Sequence, residues 1–316
     1  MKTTLKQLIL TFTFVVAFMF QLNARILTVA NPTTPQVAQY NTLQAAHDAA
    51  QSGDTIYLYP GLSHYSGLTV TKKVIIIGSG FNKITDYSDN SKIVGNDTIK
   101  FEKGSDGSIL SSIIGKFNIK INDNNIFVKK CILNQILEEK NLTDVTIVNC
   151  YINNSLTVSE NTSSITCNNI FACNNSIIMK QNSTIILKNN VFYKGNGDNG
   201  YYPSFIDAST SRTFISICNV FIGYFTSNIY PQDVLSQYSF DIQPNDGRWY
   251  ENNFHLQVNS PGKNAGPNGS DVSIYSGDYP FDESGAPELP TIYYMSIPST
   301  GSQKDGLSVE IKAKTN

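Results

Sequence analysis

The chain has 316 residues and a mass of 34.9 kDa, 41% of them apolar and only 15% charged, enough to bury a substantial core in one elongated domain and unlike a disordered chain or a coiled coil. With 23 basic and 25 acidic residues the formal charge is −2, or −4 once an N-terminal segment carrying Lys2 and Lys6 is removed, so no basic excess points to nucleic acid. The 34 asparagines gather in short apolar segments rather than in one Gln/Asn-rich tract.

Lys2 and Lys6 precede an uncharged, mostly apolar run from Leu8 to Phe20, and Gln21-Leu22-Asn23-Ala24 ends on a small residue. These are the three parts of a secretory signal, with cleavage expected after Ala24 and export to the periplasm, the cell surface or the medium. As a helix the 13 residues of the apolar run reach ~20 Å, short of a bilayer core of ~30 Å, which argues against a retained anchor. No other segment looks membrane-spanning, so no span is expected after cleavage. The five cysteines, Cys131, Cys150, Cys167, Cys173 and Cys218, are odd in number and too few for a disulfide scaffold. They also lack the paired spacing of a zinc site, and Cys131 and Cys150, inside otherwise apolar strand segments, read as small buried hydrophobes.

Asn41-Thr42-Leu43-Gln44 offers a helix cap with Gln44 three residues on, Leu43, Ala46 and Ala50 share one face, and Gly53 can end the element. An amphipathic helix of about three turns is predicted, suited to covering the open end of a stack. Strands follow at Thr55 to Tyr59 and Leu68 to Ile77, separated by a Pro60-Gly61 turn.

From Lys130 onward the chain repeats. Lys130-Cys131-Ile132-Leu133, Asn149-Cys150-Tyr151-Ile152, Asn168-Asn169-Ile170-Phe171, Asn189-Asn190-Val191-Phe192 and Cys218-Asn219-Val220-Phe221 align at spacings of 19, 19, 21 and 29 residues. Recurrence near twenty residues, rich in Ile, Val, Thr, Phe and Asn, signals stacked strands rather than helical repeats. Leu133, Ile152, Phe171, Phe192 and Phe221 form one apolar column, and Phe127, Thr146, Ile165, Ile186 and Ile215 a second; both are expected to point inward. Asn169, Asn190 and Asn219 align between them as an asparagine ladder at a tight left-handed turn. Parallel strands at ~4.8 Å spacing, one coil per repeat, satisfy all columns at once. A parallel β-helix follows.

Two stretches carry a family resemblance. Leu43-Gln44-Ala45-Ala46 through Ala49-Ala50, then Gly53-Asp54-Thr55-Ile56-Tyr57-Leu58, Pro60-Gly61 and Lys73-Val74-Ile75-Ile76-Ile77-Gly78, resembles the N-terminal cap and first coils of the pectin-lyase-like right-handed parallel β-helix superfamily. Asn253-Phe254-His255-Leu256-Gln257, Ser260-Pro261, Asn264-Ala265-Gly266, Asp271 and Gly277-Asp278-Tyr279-Pro280 resembles the closing segment of exported β-helix proteins of Bacteroidetes-type bacteria. The resemblance implies an all-β fold: a single-stranded right-handed parallel β-helix, or solenoid, over residues 25–286 with an N-terminal capping helix. In that setting His255 looks like a structural residue of the last coil. Gly262-Lys263, Ser273 and Ser276 depart from the closing pattern and are expected to loosen it. Residues 287–316 form a C-terminal extension with two alternating stretches, Thr291 to Ile297 and Leu307 to Lys312, read as a short strand pair laid against the coil.

Superfamily members include polysaccharide lyases and glycoside hydrolases, but a shared fold is only analogy for activity. Hydrolysis needs two neighbouring carboxyl groups, and the column expected to be exposed, Lys129, Val148, Cys167, Lys188 and Ile217, holds none. A lyase needs cations against a uronate, and past Ala24 the only arginines are Arg25, Arg212 and Arg248. Arg212 and Arg248 fall in two interruptions of the repeat, roughly Lys194 to Arg212 and Phe225 to Asn252. The same loops group Tyr201, Tyr202, Asp207, Tyr230, Trp249 and Tyr250, flat aromatics with polar neighbours that suit a sugar ring. The leading expectation is therefore a binder of polysaccharide or cell-surface glycan that uses these six residues and needs no cofactor. One alternative is a polysaccharide lyase using Arg212 or Arg248 with Ca²⁺ near Asp198 or Asp207; another is a structural envelope or adhesion protein.

Overall fold

The computed structural model describes residues 24–31, 37–80, 90–95, 97–172, 177–193, 213–222, 234–235, 255–256, 258–260, 262–281, 287, 291–297 and 306–314. In chain order the elements begin with β1 (Ile26–Val29), α1 (Leu43–Ala49), β2 (Thr55–Leu58), β3 (Leu68–Val70), β4 (Ile75–Ile77), β5 (Thr98–Phe101), β6 (Ile109–Ser111), β7 (Asn118–Ile121) and β8 (Phe127–Lys129). There follow β9 (Ile132–Glu138), β10 (Val145–Val148), β11 (Tyr151–Val158), β12 (Ser163–Cys167), β13 (Ile170–Phe171), β14 (Ile177–Met179), β15 (Thr184–Lys188), β16 (Val191–Tyr193), β17 (Thr213–Ile217), β18 (Val220–Ile222) and β19 (Val234–Leu235). The last two strands are β20 (Thr291–Ser296) and β21 (Glu310–Lys314).

One sheet runs β1-β2-β4-β6-β8-β10-β12-β15-β17 and a second β3-β5-β7-β9-β11-β13-β16-β18-β19, with β14 beside β11. Neighbours within both sheets are parallel, so the chain climbs as it passes from one sheet to the other and forms a parallel β-solenoid. The strands alternate in burial: in β2, Ile56 and Leu58 point into the core while Thr55 and Tyr57 do not.

Helix α1 is seven residues, two turns rather than the expected three. Thr42, not Asn41, is the cap, its hydroxyl accepting the Ala45 N–H at 3.2 Å. Leu43, Ala46 and Ala50 are buried as expected. The helix ends early because the Lys72 ammonium takes the carbonyls of His47 (3.0 Å) and Ala50 (2.9 Å), while Asp54 draws the Gln51 N–H into a turn at 2.7 Å.

The first apolar column stands in register: Leu133, Ile152, Phe171, Phe192 and Phe221 are successive partners. Phe171 and Phe192 are buried and stack with centroids 4.9 Å apart and planes at 8°. The second column is also in register, but it faces outward. Ile165 and Ile215 are 38% and 41% exposed, and the residues that enter the core are their neighbours Val128, Ile147, Thr166 and Leu187. A strand's side chains alternate, so a one-residue displacement moves a whole column to the other face. Here apolar residues stand on both faces of these strands, and the period alone does not choose between them.

The buried ladder is present. Asn169 Oδ1 accepts the Cys150 N–H (2.7 Å), Asn190 Oδ1 accepts from Asn169 N (2.9 Å) and Nδ2 (3.1 Å), and Asn219 Oδ1 from Asn190 N (2.9 Å) and Nδ2 (3.0 Å). These asparagines are not themselves left-handed. That conformation belongs to the residue before each, Lys130, Asn149, Asn168, Asn189 and Cys218, at φ 52–56°. Cys131 and Cys150 occupy the same column, their thiols reaching the carbonyls of Lys129 (3.2 Å) and Val148 (3.3 Å) as Asn169 Nδ2 reaches that of Cys167 (2.8 Å). Replacing Asn190 by Ala leaves the Asn169 N–H unpaired in the core and removes the amide's bond to the Thr166 carbonyl, so a loss of roughly 1–3 kcal/mol in urea denaturation is expected.

Glu138 interrupts an otherwise apolar inward column, with Ile121 on one side and Val158 on the other. Ser164 donates a 2.8 Å hydrogen bond to Oε1, while Oε2 is buried without a partner. Burial pushes its pKa up from 4.5 to about 8. The unfolded chain then releases this proton well below the pH at which the folded chain does, and stability should fall as pH rises from 4.5 to about 8 and level off above. The expected drop is about 3–5 kcal/mol. Urea midpoints measured across that range should lose this slope in Glu138→Gln.

Candidate functional site

The 194–212 excursion joins β16 to β17. In the preceding coil the equivalent stretch, between Phe171 and Thr184, holds β14 and the turn at residues 180–183, and the repeat lengthens here from 21 to 29 residues. Stacking is not interrupted, because β15 pairs directly with β17 and β16 with β18. The second expected excursion contains a strand, β19, which pairs with β18 as a further rung. Asp198, Tyr201, Tyr202, Asp207, Arg212, Tyr230, Arg248, Trp249 and Tyr250 all lie outside the described residues.

The corner below the 194–212 root carries an exposed ladder that the alignment on the inner column missed. Asn141, Asn161 and Asn182 are left-handed, at φ 62°, 55° and 57°. Asn161 Nδ2 donates to Asn141 Oδ1 at 3.0 Å and Asn182 Nδ2 to Asn161 Oδ1 at 3.2 Å. The signal was there, since these asparagines recur every 20 and 21 residues. Around them Lys140 pairs with Glu160 (2.6 Å) and Lys120 with Glu139 (2.8 Å), and each carboxylate raises the pKa of its lysine by a hydrogen bond. Asn122 Nδ2 donates to Glu102 at 2.8 Å. The corner thus presents amides and neutralised charge pairs, groups that can exchange hydrogen bonds with hydroxyls.

The other corner is covered by residues 255–281. Leu256, Val272 and Ile274 bury the outward column Ile132, Tyr151, Ile170 and Val191. Asn168 Nδ2 donates to the carbonyls of Ile274 (2.7 Å) and Ser276 (2.6 Å), and Asn189 Nδ2 to that of Ser276 (3.2 Å), so two rungs hold one strap. The His255 ring stacks on Tyr275 at 4.2 Å, in keeping with a structural place. The departures expected to loosen this segment help build it. Ser273 accepts the Tyr275 N–H (3.2 Å), Gly262 accepts that of Val272 (2.8 Å), and Lys263 pairs with Asp271 (2.8 Å). The column expected to be exposed is partly buried, at Val148 and Cys167, and Tyr279 meets Phe127 of the neighbouring outward column with ring centroids 6.0 Å apart.

Burial pushes the Cys167 thiol up to about 11 and also raises that of Cys150, so neither is a thiolate near neutrality. Among the described residues no group of three His, Cys, Asp or Glu is placed to hold a metal ion, and no helix is long and apolar enough to cross a membrane. The extension does contain a strand pair, with β20 and β21 antiparallel; Met295, Ile297 and Ile311 on it are more than half exposed. Comparison with models of known families, with curated proteins and with solved structures gives no significant match.

The strap offers its own test. Gly277 has φ +84°, and a Cβ there would run into Nδ2 of Asn189. Gly277→Ala should cost about 1–3 kcal/mol in chemical denaturation, from backbone strain at positive φ together with the clash against Asn189.

Proposed function

We propose that this is an exported right-handed parallel β-helix protein of the pectin-lyase-like kind, closed at one end by α1, that binds polysaccharide or cell-surface glycan through its late loops. Cleavage after Ala24 delivers it to the periplasm, the surface or the medium. The observation that carries the reading is the rooting of the 194–212 segment. It makes its coil eight residues longer than the one before, 29 against 21, and it joins two strands paired into the parallel stack, whose earlier coils carry an exposed ladder of amides and paired charges. A rigid stack that carries one long, aromatic-rich loop is a common way to present a binding site. Tyr201, Tyr202 and Trp249 supply stacking surfaces for sugar rings, and Asp207, Tyr230 and Tyr250 supply hydrogen-bonding neighbours.

Retardation in gels containing polysaccharide should be strong for the intact chain and lost in Tyr201→Ala, Tyr202→Ala and Trp249→Ala. Unchanged retardation in all three would remove the reading. Unsaturated-uronate absorbance that disappears on chelation would replace it with a lyase using Arg212 or Arg248 and Ca²⁺ near Asp198 or Asp207. Binding to whole cells but to no isolated glycan would replace it with a structural or adhesive role.

A further inference from the structure

Asp54 is buried at the start of the solenoid, its side chain 3% exposed, and its carboxylate is aimed at the first residue before β1. Oδ1 accepts the backbone N–H of Arg25 at 2.8 Å. Oδ2 accepts from the Arg25 guanidinium, Nε at 3.1 Å and a terminal nitrogen at 2.7 Å, and from the Gln51 N–H at 2.7 Å. The Arg25 carbonyl in turn accepts the Thr55 N–H at 2.8 Å. One carboxylate therefore fixes both the backbone and the side chain of Arg25, on which the β1–β2 register begins with Ile26 opposite Thr55. The backbone bond is the unusual one, because Arg25 N is the atom that cleavage after Ala24 would turn into an amino group.

We propose that removal of the leader creates an α-ammonium group at Arg25 that docks on the buried carboxylate of Asp54 and fastens the first strand to the coil. The proposal rests on the export reading above. A leader peptidase adds water across the Ala24–Arg25 peptide bond: hydroxyl goes to the Ala24 carbonyl carbon, hydrogen to Arg25 nitrogen, and the freed amine takes a proton from solvent. A peptide N–H facing Oδ1 then becomes a cationic donor, and such charge-assisted bonds to a carboxylate are shorter and about twice as strong as neutral ones. The groups facing Asp54 are the Arg25 guanidinium just before β1 and the Gln51 N–H after α1, and Tyr40 is the other titratable group that acts on Arg25. Nothing anionic competes for the new charge among them.

The test compares a chain that begins at Arg25 with one extended by Leu22-Asn23-Ala24. In the first, the α-amine should titrate roughly one unit above its ordinary range near 7.7–8.0. The pairing contributes fully below that ordinary range and is lost as pH rises through the raised folded value. At pH 7 the chain beginning at Arg25 should melt roughly 2–4 °C higher than the extended one, with the gap closing at alkaline pH. Asp54→Asn should abolish the gap and Arg25→Ala should keep it; if Asp54→Asn does not fold, the α-amine titration of the unmutated chain decides alone. An ordinary α-amine pKa together with equal melting overturns the socket. An exported protein whose intact mass shows another N-terminus overturns the proposal through the cleavage reading instead, and glycan retardation is unaffected by either result.

Discussion

The constraint on which the structure depends is vertical. In parallel coils each rung's N–H and C=O groups are taken by the rungs above and below, so a residue that suits one coil must suit its neighbours at the same place. The constraint is hardest at the inner corner, where a left-handed residue turns the chain and carbonyls such as those of Ile147, Cys167, Thr166 and Leu187 face the core. Buried carbonyls need donors. An asparagine amide supplies them while its oxygen accepts the next backbone N–H, and a thiol supplies one donor without the acceptor. That is why Cys131 and Cys150 begin the column that Asn169, Asn190 and Asn219 continue.

This constraint explains what was legible in the sequence. The spacing of 19, 19, 21 and 29 residues gave the parallel stack, its register and the inner ladder, because each is a statement about vertical neighbours. Facing direction is a statement within one strand, and Phe127-Val128, Thr146-Ile147 and Ile186-Leu187 offer an apolar or β-branched residue on either side. Nothing vertical separates them. The left-handed position was placed one residue late for a related reason: Asn168-Asn169 and Asn189-Asn190 are doublets, and only the cysteine-bearing copies show that Lys130 and Asn149 make the turn. The candidate site was legible only as an interruption of the period, since loop residues have no vertical partner to report on them. The outer ladder of Asn141, Asn161 and Asn182 shared the period but not the anchor column, and it was overlooked.

The two corners divide the labour. The inner-ladder corner turns in one left-handed residue and is sealed by the 255–281 strap, whose attachment uses the amides of Asn168 and Asn189, the turn residues themselves. A long loop there would collide with the strap. The outer corner has no such cover at Asn141, Asn161 and Asn182, which are exposed, and the earlier turns there already vary between four and six residues. Variation in length is tolerated where backbone groups reach solvent, so this is the side on which the solenoid can accept a coil eight residues longer, 29 against 21, and still resume its register in β17 and β18.

A stack of coils also has ends, and an uncovered parallel edge invites further strand pairing. At the β1 edge the answer is partly local. Tyr40 N donates to the Thr28 carbonyl at 3.1 Å, Ala30 N to that of Tyr40 at 3.0 Å, and the Gln39 side chain accepts the Thr28 N–H at 3.2 Å. These bonds occupy groups that another strand would need, but they hold only the C-terminal half of β1. Its N-terminal half depends on Asp54, which grips Arg25 from beneath while Thr55 pairs with it alongside. A residue buried at the first rung therefore governs how firmly the outermost strand is held, and the chemical state of the Arg25 nitrogen is the variable left to set it.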